Sequence, residues 1–471
     1  MPVTRPRPND AGPVAPSRDD PLVGAASQWV GGPIGRRAVL RRRWWSPIRI
    51  ALAVTAAVLA LGFLADQPCR ADGWADRDTA MWTAACYSDV PFLYRERGFA
   101  DGLFAYWDTQ LEYPVLTGAL MQGSAYVAQA LQDVFGPAGA IAGSVWFFDV
   151  TAVLMALSAA VVVIATARTV PRRPWDGLLV AASPVLLLSA NVNWDLFAVM
   201  LCSLAIVAWT RDRPVAAGLL IGLGAAAKLY PALLLGPMLL LALRSPDRRG
   251  ELGSVAAATS AAVVAWTAVN LPVAVWAPSG WRAFFEFNRD RGADFGSTWF
   301  AVDILEPGLL PERIDSFVVG SAVVLLVAIC GLALLAPSPP RLVQLTFLAV
   351  AAFLLVNKVW SPQYALWLLP LAVLARPRVR DLAIWQAAEV VYFVVVWRYL
   401  ATLYDPADPM VSDRTYALAI LLRIAGVLWI AAMVVRDMMR PELDPVRPVT
   451  VTVRRPAPAR ARHRRRGAAP A

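Results

Sequence analysis

A succession of apolar runs, most of them close to the roughly 20 residues that a helix needs to cross a bilayer, constrains this chain more than any other feature. The first spans Ile48 to Ala65, and others follow at about 138–167, 176–190, 195–210, 215–229, 231–244, 253–276, 316–336, 341–357, 363–375, 382–400 and 414–435. Hydrophobic residues make up 58% of the 471 positions, with a mean hydropathy of +0.53. This predicts an all-α, polytopic transmembrane bundle with no sizeable soluble domain.

Charge orients the runs. Arg36, Arg37, Arg41, Arg42 and Arg43 precede the first run, which marks it as a retained anchor with a cytoplasmic N-terminus. The hydrophilic stretch from Asp66 to Tyr113 then faces out. If both Pro114 to Val134 and the run after it crossed, Arg168, Arg172 and Arg173 would also face out, against the charge rule. Gln122, Ser124, Gln129 and Gln132 make the earlier run polar for a span. It is therefore expected to lie along the outer interface, which leaves about 12 spans with both termini cytoplasmic. Several spans fall short of bilayer length, as helices do whose ends unwind around a cavity.

The expected organisation is a membrane domain over 44–436 between two disordered, basic cytoplasmic tails, 1–43 and 437–471. Two large loops face out: 66–134, which carries the interfacial helix, and 277–315. From Arg436 to the C-terminus ten arginines face three acids. These arginines suit topology and contact with anionic membrane lipids. Without aromatic stacking residues or a folded module, they do not predict nucleic acid as a partner.

Only two of the 44 basic residues are lysines, Lys228 and Lys358, and both end apolar segments, in AAAKLYP and LVNKVWSPQY. A lysine that persists in an arginine-rich chain marks a place for a compact ammonium on a flexible stem. The outer turns add Asn191, Asn193 and Asp195 in SANVNWD, and Gln363 and Tyr364 in NKVWSPQY. Acids, amides and aromatics thus converge on the outer face. Capping of the next helix is a second reading for Asn193, and interface anchoring a second reading for Trp299, Trp360, Tyr364 and Trp367.

The first outer loop reads CYSDVPFLYRERGFADGLFAYWDTQLEYPVLTG from Cys86 to Gly118. Its order of Asp89, Tyr94, the Gly102-x-x-x-Tyr106 segment and Glu112-Tyr113-Pro114 resembles the first outer loop of GT-C glycosyltransferases. More specifically it is similar to glycosyltransferase family 87, which includes actinobacterial mannosyltransferases using polyprenyl-phosphate-mannose. The resemblance extends over about residues 45–436 and includes AAAKLYPALLLGPMLLLAL, FNRDRGADFGSTW and NKVWSPQYALWLLPL. It implies a GT-C-type bundle with juxtamembrane helices in the first outer loop. It also implies a polyprenyl-phosphate sugar donor, a lipid or glycan acceptor in the cell envelope, and an acid of the first outer loop, matched by Asp89, as general base. Tyr94, Glu112 and Tyr113 then belong to the substrate site. Capping or salt bridging near Arg95 or Arg97 is the alternative for Asp89, and Asp76, Asp78, Asp101, Asp108 and Glu112 are other acids of the loop.

The chemistry points the same way. Moving a sugar from a lipid phosphate needs a carboxylate to take the acceptor proton and cations for the charge growing on the departing phosphate. Lys228, Arg289, Arg291 and Lys358 are the candidate phosphate-binding cations, and inversion needs no protein nucleophile. The single histidine, His463, lies in the C-terminal tail, which rules out Ser-His-Asp catalysis and histidine-metal chemistry in the membrane domain. No cofactor is called for, a divalent ion on the loop acids staying open. No P-loop motif occurs. Cys202 and Cys330 read as apolar span residues, whereas Cys69 and Cys86 share the outer loop, where a disulfide and two free thiols are both open. Asp149 suits either the site wall or a structural bond. The competing class is a transporter or flippase of a lipid-linked or anionic solute. Such a protein tends to show two related halves and ionisable groups at mid-membrane, whereas here the halves are not visibly similar and the charged groups concentrate in the outer loops.

Overall fold

The protein is described from a computed structural model, which covers residues 13–35, 44–75, 79–136, 139–311 and 314–447. Arg36 to Arg43, Asp76, Asp78 and His463 lie outside the described residues. Within them all regular structure is helical, apart from one isolated bridge between Ala105 and Thr109. Five helices are long and apolar enough to cross a membrane: Pro47–Ala65, Ala140–Thr169, Arg248–Trp276, Asp315–Leu335 and Asp413–Met439. Shorter apolar helices lie at Asp195–Trp209, Pro214–Ala227, Tyr230–Arg244, Leu342–Val356 and Pro362–Ala375. The Val379–Tyr404 helix, 26 residues long, packs along Asp413–Met439 as an antiparallel hairpin.

Short helices arise where the backbone is broken for a local reason. The run expected as one helix over 176–190 divides into Asp176–Ala181 and Pro184–Ser189. Pro184 holds Ser183 in the extended region, and the Ser183 hydroxyl caps the second helix by accepting from Val185 N–H. The helix from Pro214 stops at Ala227 because Lys228 is extended, with φ −159° and ψ 135°. A 3₁₀ turn, Tyr230–Leu234, follows before Leu235–Arg244 resumes. That break turns Lys228 out of the helix line.

The stretch expected along the interface forms one helix, Val115–Phe135, entered through Pro114, whose extended backbone sets the turn. Its polar residues serve the preceding loop and the end of the Pro214–Ala227 helix. Gln122 Oε1 accepts from Ala105 N–H at 2.9 Å, Gln129 donates to the Phe99 carbonyl at 2.8 Å, and Thr117 donates to the Ala227 carbonyl at 2.7 Å.

Parts of both expected tails are ordered. Residues Pro16–Asp19 and Pro21–Gly35 are helical, and Asp19 pairs with Arg173 at 2.9 Å. Asp20 caps Leu22 and Val23 with one oxygen and accepts from Val379 N–H with the other. Past the last long helix, Asp444 is buried, pairing with Arg341 at 2.9 Å and accepting from Gln344. Composition, dominated by Pro, Gly and Arg, hid these acids, of which Asp19 and Asp444 meet arginines of the membrane domain and Asp20 meets the backbone N–H of Val379.

Candidate active site

The first loop is pinned to the bundle by its own backbone. Asp89 N–H donates to the Val192 carbonyl at 2.9 Å and Ser88 Oγ to the Asn191 carbonyl at 2.6 Å. Ser88 is also the N-cap of the Asp89–Glu96 helix, so one residue both starts the helix and fastens it beside the 191–193 turn. Arg95 reaches back to the Gly73 and Trp74 carbonyls at 3.0 and 2.6 Å. Cys69 and Cys86 are disulfide-bonded, with an S–S distance of 1.97 Å. Asp149, the acid inside the Ala140–Thr169 helix, takes a two-pronged bond from Arg70, at 2.8 and 2.6 Å, beside that disulfide.

These attachments build one wall of a cavity of about 500 Å³. Its other walls come from the 191–193 turn, Lys228, the Pro278–Asp290 helix with Arg291, the Ser361–Tyr364 turn and the end of the Val379–Tyr404 helix. Asp89 lies on it. One carboxylate oxygen accepts from Tyr87 O–H at 2.7 Å and the other from Tyr113 O–H at 3.2 Å, and Asn193 adds a side-chain bond. Burial raises the Asp89 pKa above the usual aspartate range, against the opposing pull of those bonds and of the Lys228 charge. A carboxylate so placed is a stronger base than an exposed one, and its hydrogen bonds fix where it points.

Lys228 sits across Tyr113 from Asp89. Its ammonium pairs with Asp195 at 2.8 Å and lies 5.1, 5.2 and 5.8 Å from the ring centres of Tyr113, Tyr364 and Trp367. Three π faces and a carboxylate thus hold a cation at the cavity wall. Asn193 Oδ1 caps the helix of Asp195 by accepting from Asp195 N–H at 3.0 Å, so its amide serves both acids.

Other candidate residues fall into two groups. Arg291, Glu112, Gln363 and Tyr364 line the cavity. Arg291 is held by Asp294 at 2.5 Å, and Glu112 by Arg97 in two bonds of 2.8 Å. Tyr94, Asn191, Arg289 and Lys358 are not among the lining residues. Tyr94 stacks on Phe147 at 4.9 Å, and Asn191 donates to Asp66 at 2.8 Å. Arg289 is 72% exposed and pairs with Asp290, while Lys358 pairs with Asp315 and donates to the Arg289 carbonyl. Lys358 therefore fastens the second large loop, and of the four candidate cations Lys228 and Arg291 face the cavity. Among the described residues, no group of three or more His, Cys, Asp or Glu side chains forms a metal-ligand set.

Sequence reasoning missed an aromatic wall. Tyr87 stacks on Trp82 at 4.9 Å and meets Trp397 at 5.0 Å, and all three line the cavity. It also missed Phe284, Phe287 and Asn288 on the Pro278–Asp290 helix. The spacing of Phe284, Phe287, Asn288 and Arg291 at three and four residues was the available sign of a helix with one face on the site.

The helical bundle thus places the hydrogen-bonded Asp89 carboxylate beside the caged Lys228 ammonium on one cavity wall. Comparison with known families agrees: residues 134–357, just under half of the chain, match the model of glycosyltransferase family 87, which indicates a glycosyltransferase domain in a protein with membrane-type helices. No curated protein gives a match. The matched stretch contains Asn193, Asp195, Lys228 and Arg291, whereas Asp89, Gln363 and Tyr364 lie outside it.

Proposed function

We propose that this membrane glycosyltransferase moves a hexose, mannose in the simplest reading, from a polyprenyl-phosphate donor to a hydroxyl of a lipid or glycan acceptor in the cell envelope, with inversion. The observation that supports this best is Asp89, a buried, hydrogen-bonded carboxylate on the wall of a cavity with polar and aromatic sides, beside Lys228. In this reading the acceptor oxygen attacks the anomeric carbon as its proton passes to Asp89. The bond from that carbon to the phosphate oxygen breaks, and the polyprenyl phosphate leaves with the bonding pair. Lys228 and Arg291 oppose the charge growing on that phosphate, and Glu112, Asn193, Gln363 and Tyr364 surround the sugars. The bundle crosses the membrane about 12 times in this picture, with both termini in the cytoplasm and the cavity opening outward.

The test is incubation of the purified protein in lipid nanodiscs with radiolabelled polyprenyl-phosphate-mannose and envelope lipids or glycans. Appearance of label in the acceptor supports the proposal. Movement of labelled donor across a proteoliposome membrane without transfer would sink it and favour a flippase.

A further inference from the structure

A buried ion pair lies away from the residues assigned so far and reaches the site through the backbone. Arg423, in the middle of the Asp413–Met439 helix, is fully buried, and its Nε donates to Glu389 on the neighbouring helix at 2.8 Å. The other Glu389 oxygen accepts from Trp385 Nε1 at 3.0 Å. The guanidinium lies 4.3 Å from the ring centres of both Trp360 and Tyr392. Its two remaining nitrogens donate to three consecutive carbonyls: Trp360 at 2.6 Å, Ser361 at 3.0 Å and Pro362 at 3.4 Å.

Those carbonyls belong to the turn that carries Ser361, Pro362, Gln363 and Tyr364 into the cavity. The same turn holds the second loop, since Trp360 N–H donates to the Phe295 carbonyl at 3.3 Å and Asp294 N–H to the Lys358 carbonyl at 2.9 Å. Asp294 in turn holds Arg291. Stability alone is a weak reason to bury an arginine and a glutamate among apolar helices, because apolar residues of similar volume serve as well or better. A planar fork with donors to spare is what three adjacent carbonyls need.

We propose that Arg423, oriented by Glu389, is a positioning residue that fixes the 360–364 turn and, through Phe295 and Asp294, Arg291, so that both walls meet the donor in register. This rests on the glycosyltransferase reading for its effect on rate, but the fixing of the turn does not depend on it.

The experiment compares wild type, Arg423→Lys and Arg423→Met/Glu389→Leu in nanodiscs. It follows thermal midpoint, hydrogen exchange of the 357–364 peptide, and transfer from polyprenyl-phosphate-mannose per folded molecule. The double variant is expected to keep its midpoint within a few degrees, to exchange the 357–364 amides at least tenfold faster, and to lose about 100-fold in kcat/KM, as small misplacements of binding groups do. Lysine, a point donor, recovers only part. Unchanged exchange and unchanged kcat/KM per folded molecule in both variants would overturn the proposal, as would a loss of midpoint with normal kinetics in the surviving molecules. If the double variant does not fold, Arg423→Lys carries the same comparison. If wild type transfers nothing, the glycosyltransferase reading falls, and the exchange rates alone decide whether the turn is held by Arg423.

Discussion

Replacing Asp89 by asparagine removes the proposed base and changes little else. The amide keeps one oxygen to accept from Tyr87 or Tyr113 and loses the other acceptor, at a cost of about 1 kcal/mol. Against that, the variant no longer buries a charge that its surroundings disfavour. Folded yield is therefore expected to stay near wild type. Proton transfer by a positioned base contributes about 10²- to 10⁴-fold in rate, or about 3–5 kcal/mol in the barrier. Transfer of labelled mannose at matched protein amounts should fall by that factor, with donor binding retained. Because the Asp89 pKa is raised and the base works ionised, kcat/KM of the wild type should fall on its acid side at a pH above the ordinary aspartate range. Tyr87→Phe removes a bond that favours the ionised form, and should move that limb to higher pH. A loss below threefold in Asp89→Asn, or an acid limb unmoved by Tyr87→Phe, would refute Asp89 as the base.

Further outcomes test the scaffold around it. Lys228→Met leaves the buried Asp195 carboxylate unpaired, which costs about 3–5 kcal/mol; thermal denaturation should show that loss, and Lys228→Met/Asp195→Leu should regain stability without regaining transfer. Cys69→Ser/Cys86→Ser opens a disulfide with a sequence separation of 17, worth about 3 kcal/mol on a chain-entropy basis. The thermal midpoint should drop, and reductant should lower the midpoint of wild type but not of the variant. Asp66, half-buried beside Asn191, has its pKa raised by desolvation to about 7 from 3.8. The folded state thus binds this proton more tightly than the unfolded state, so the stability it contributes is greatest below pH 3.8 and is lost as pH rises through about 7. Asp66→Asn should gain on the order of 4 kcal/mol over wild type above that pH and nothing below pH 3.8, read from midpoints across the pH series.

What could be read from the sequence was whatever stands out against an apolar background. Lys228 ends a hydrophobic run and could be singled out without coordinates, whereas Asp89, one of several acids in the first outer loop, was picked out by the order of residues that the loop shares with the family it resembles. Lys358 has the same local signature as Lys228, yet it binds Asp315 and the Arg289 carbonyl. The signature marks a helix end and is silent about which way the side chain turns. The aromatic wall was hidden for a different reason. Trp82, Tyr87 and Trp397 come from segments some 310 positions apart, and Trp and Tyr at membrane interfaces have an anchoring explanation that spacing alone does not displace.

Arg423 shows where one more inference was within reach. It is an arginine within an apolar run, which by itself marks a functional or paired group, and the preceding run contains one acid between Asp381 and Asp405, Glu389. Adjacent runs joined by the short loop 405–412 form an antiparallel hairpin, so an acid and a base well inside each are brought to similar depth, and an unpaired charge at that depth is too costly to leave alone. Pairing of Glu389 with Arg423 therefore followed from the sequence once both runs were accepted as neighbours. The further contact, three carbonyls of the 360–362 turn, did not, because it depends on a helix end some 60 residues earlier in the chain folding back against the hairpin. Local pattern supplies the charges and their partners, and the tertiary fold decides which piece of backbone they hold.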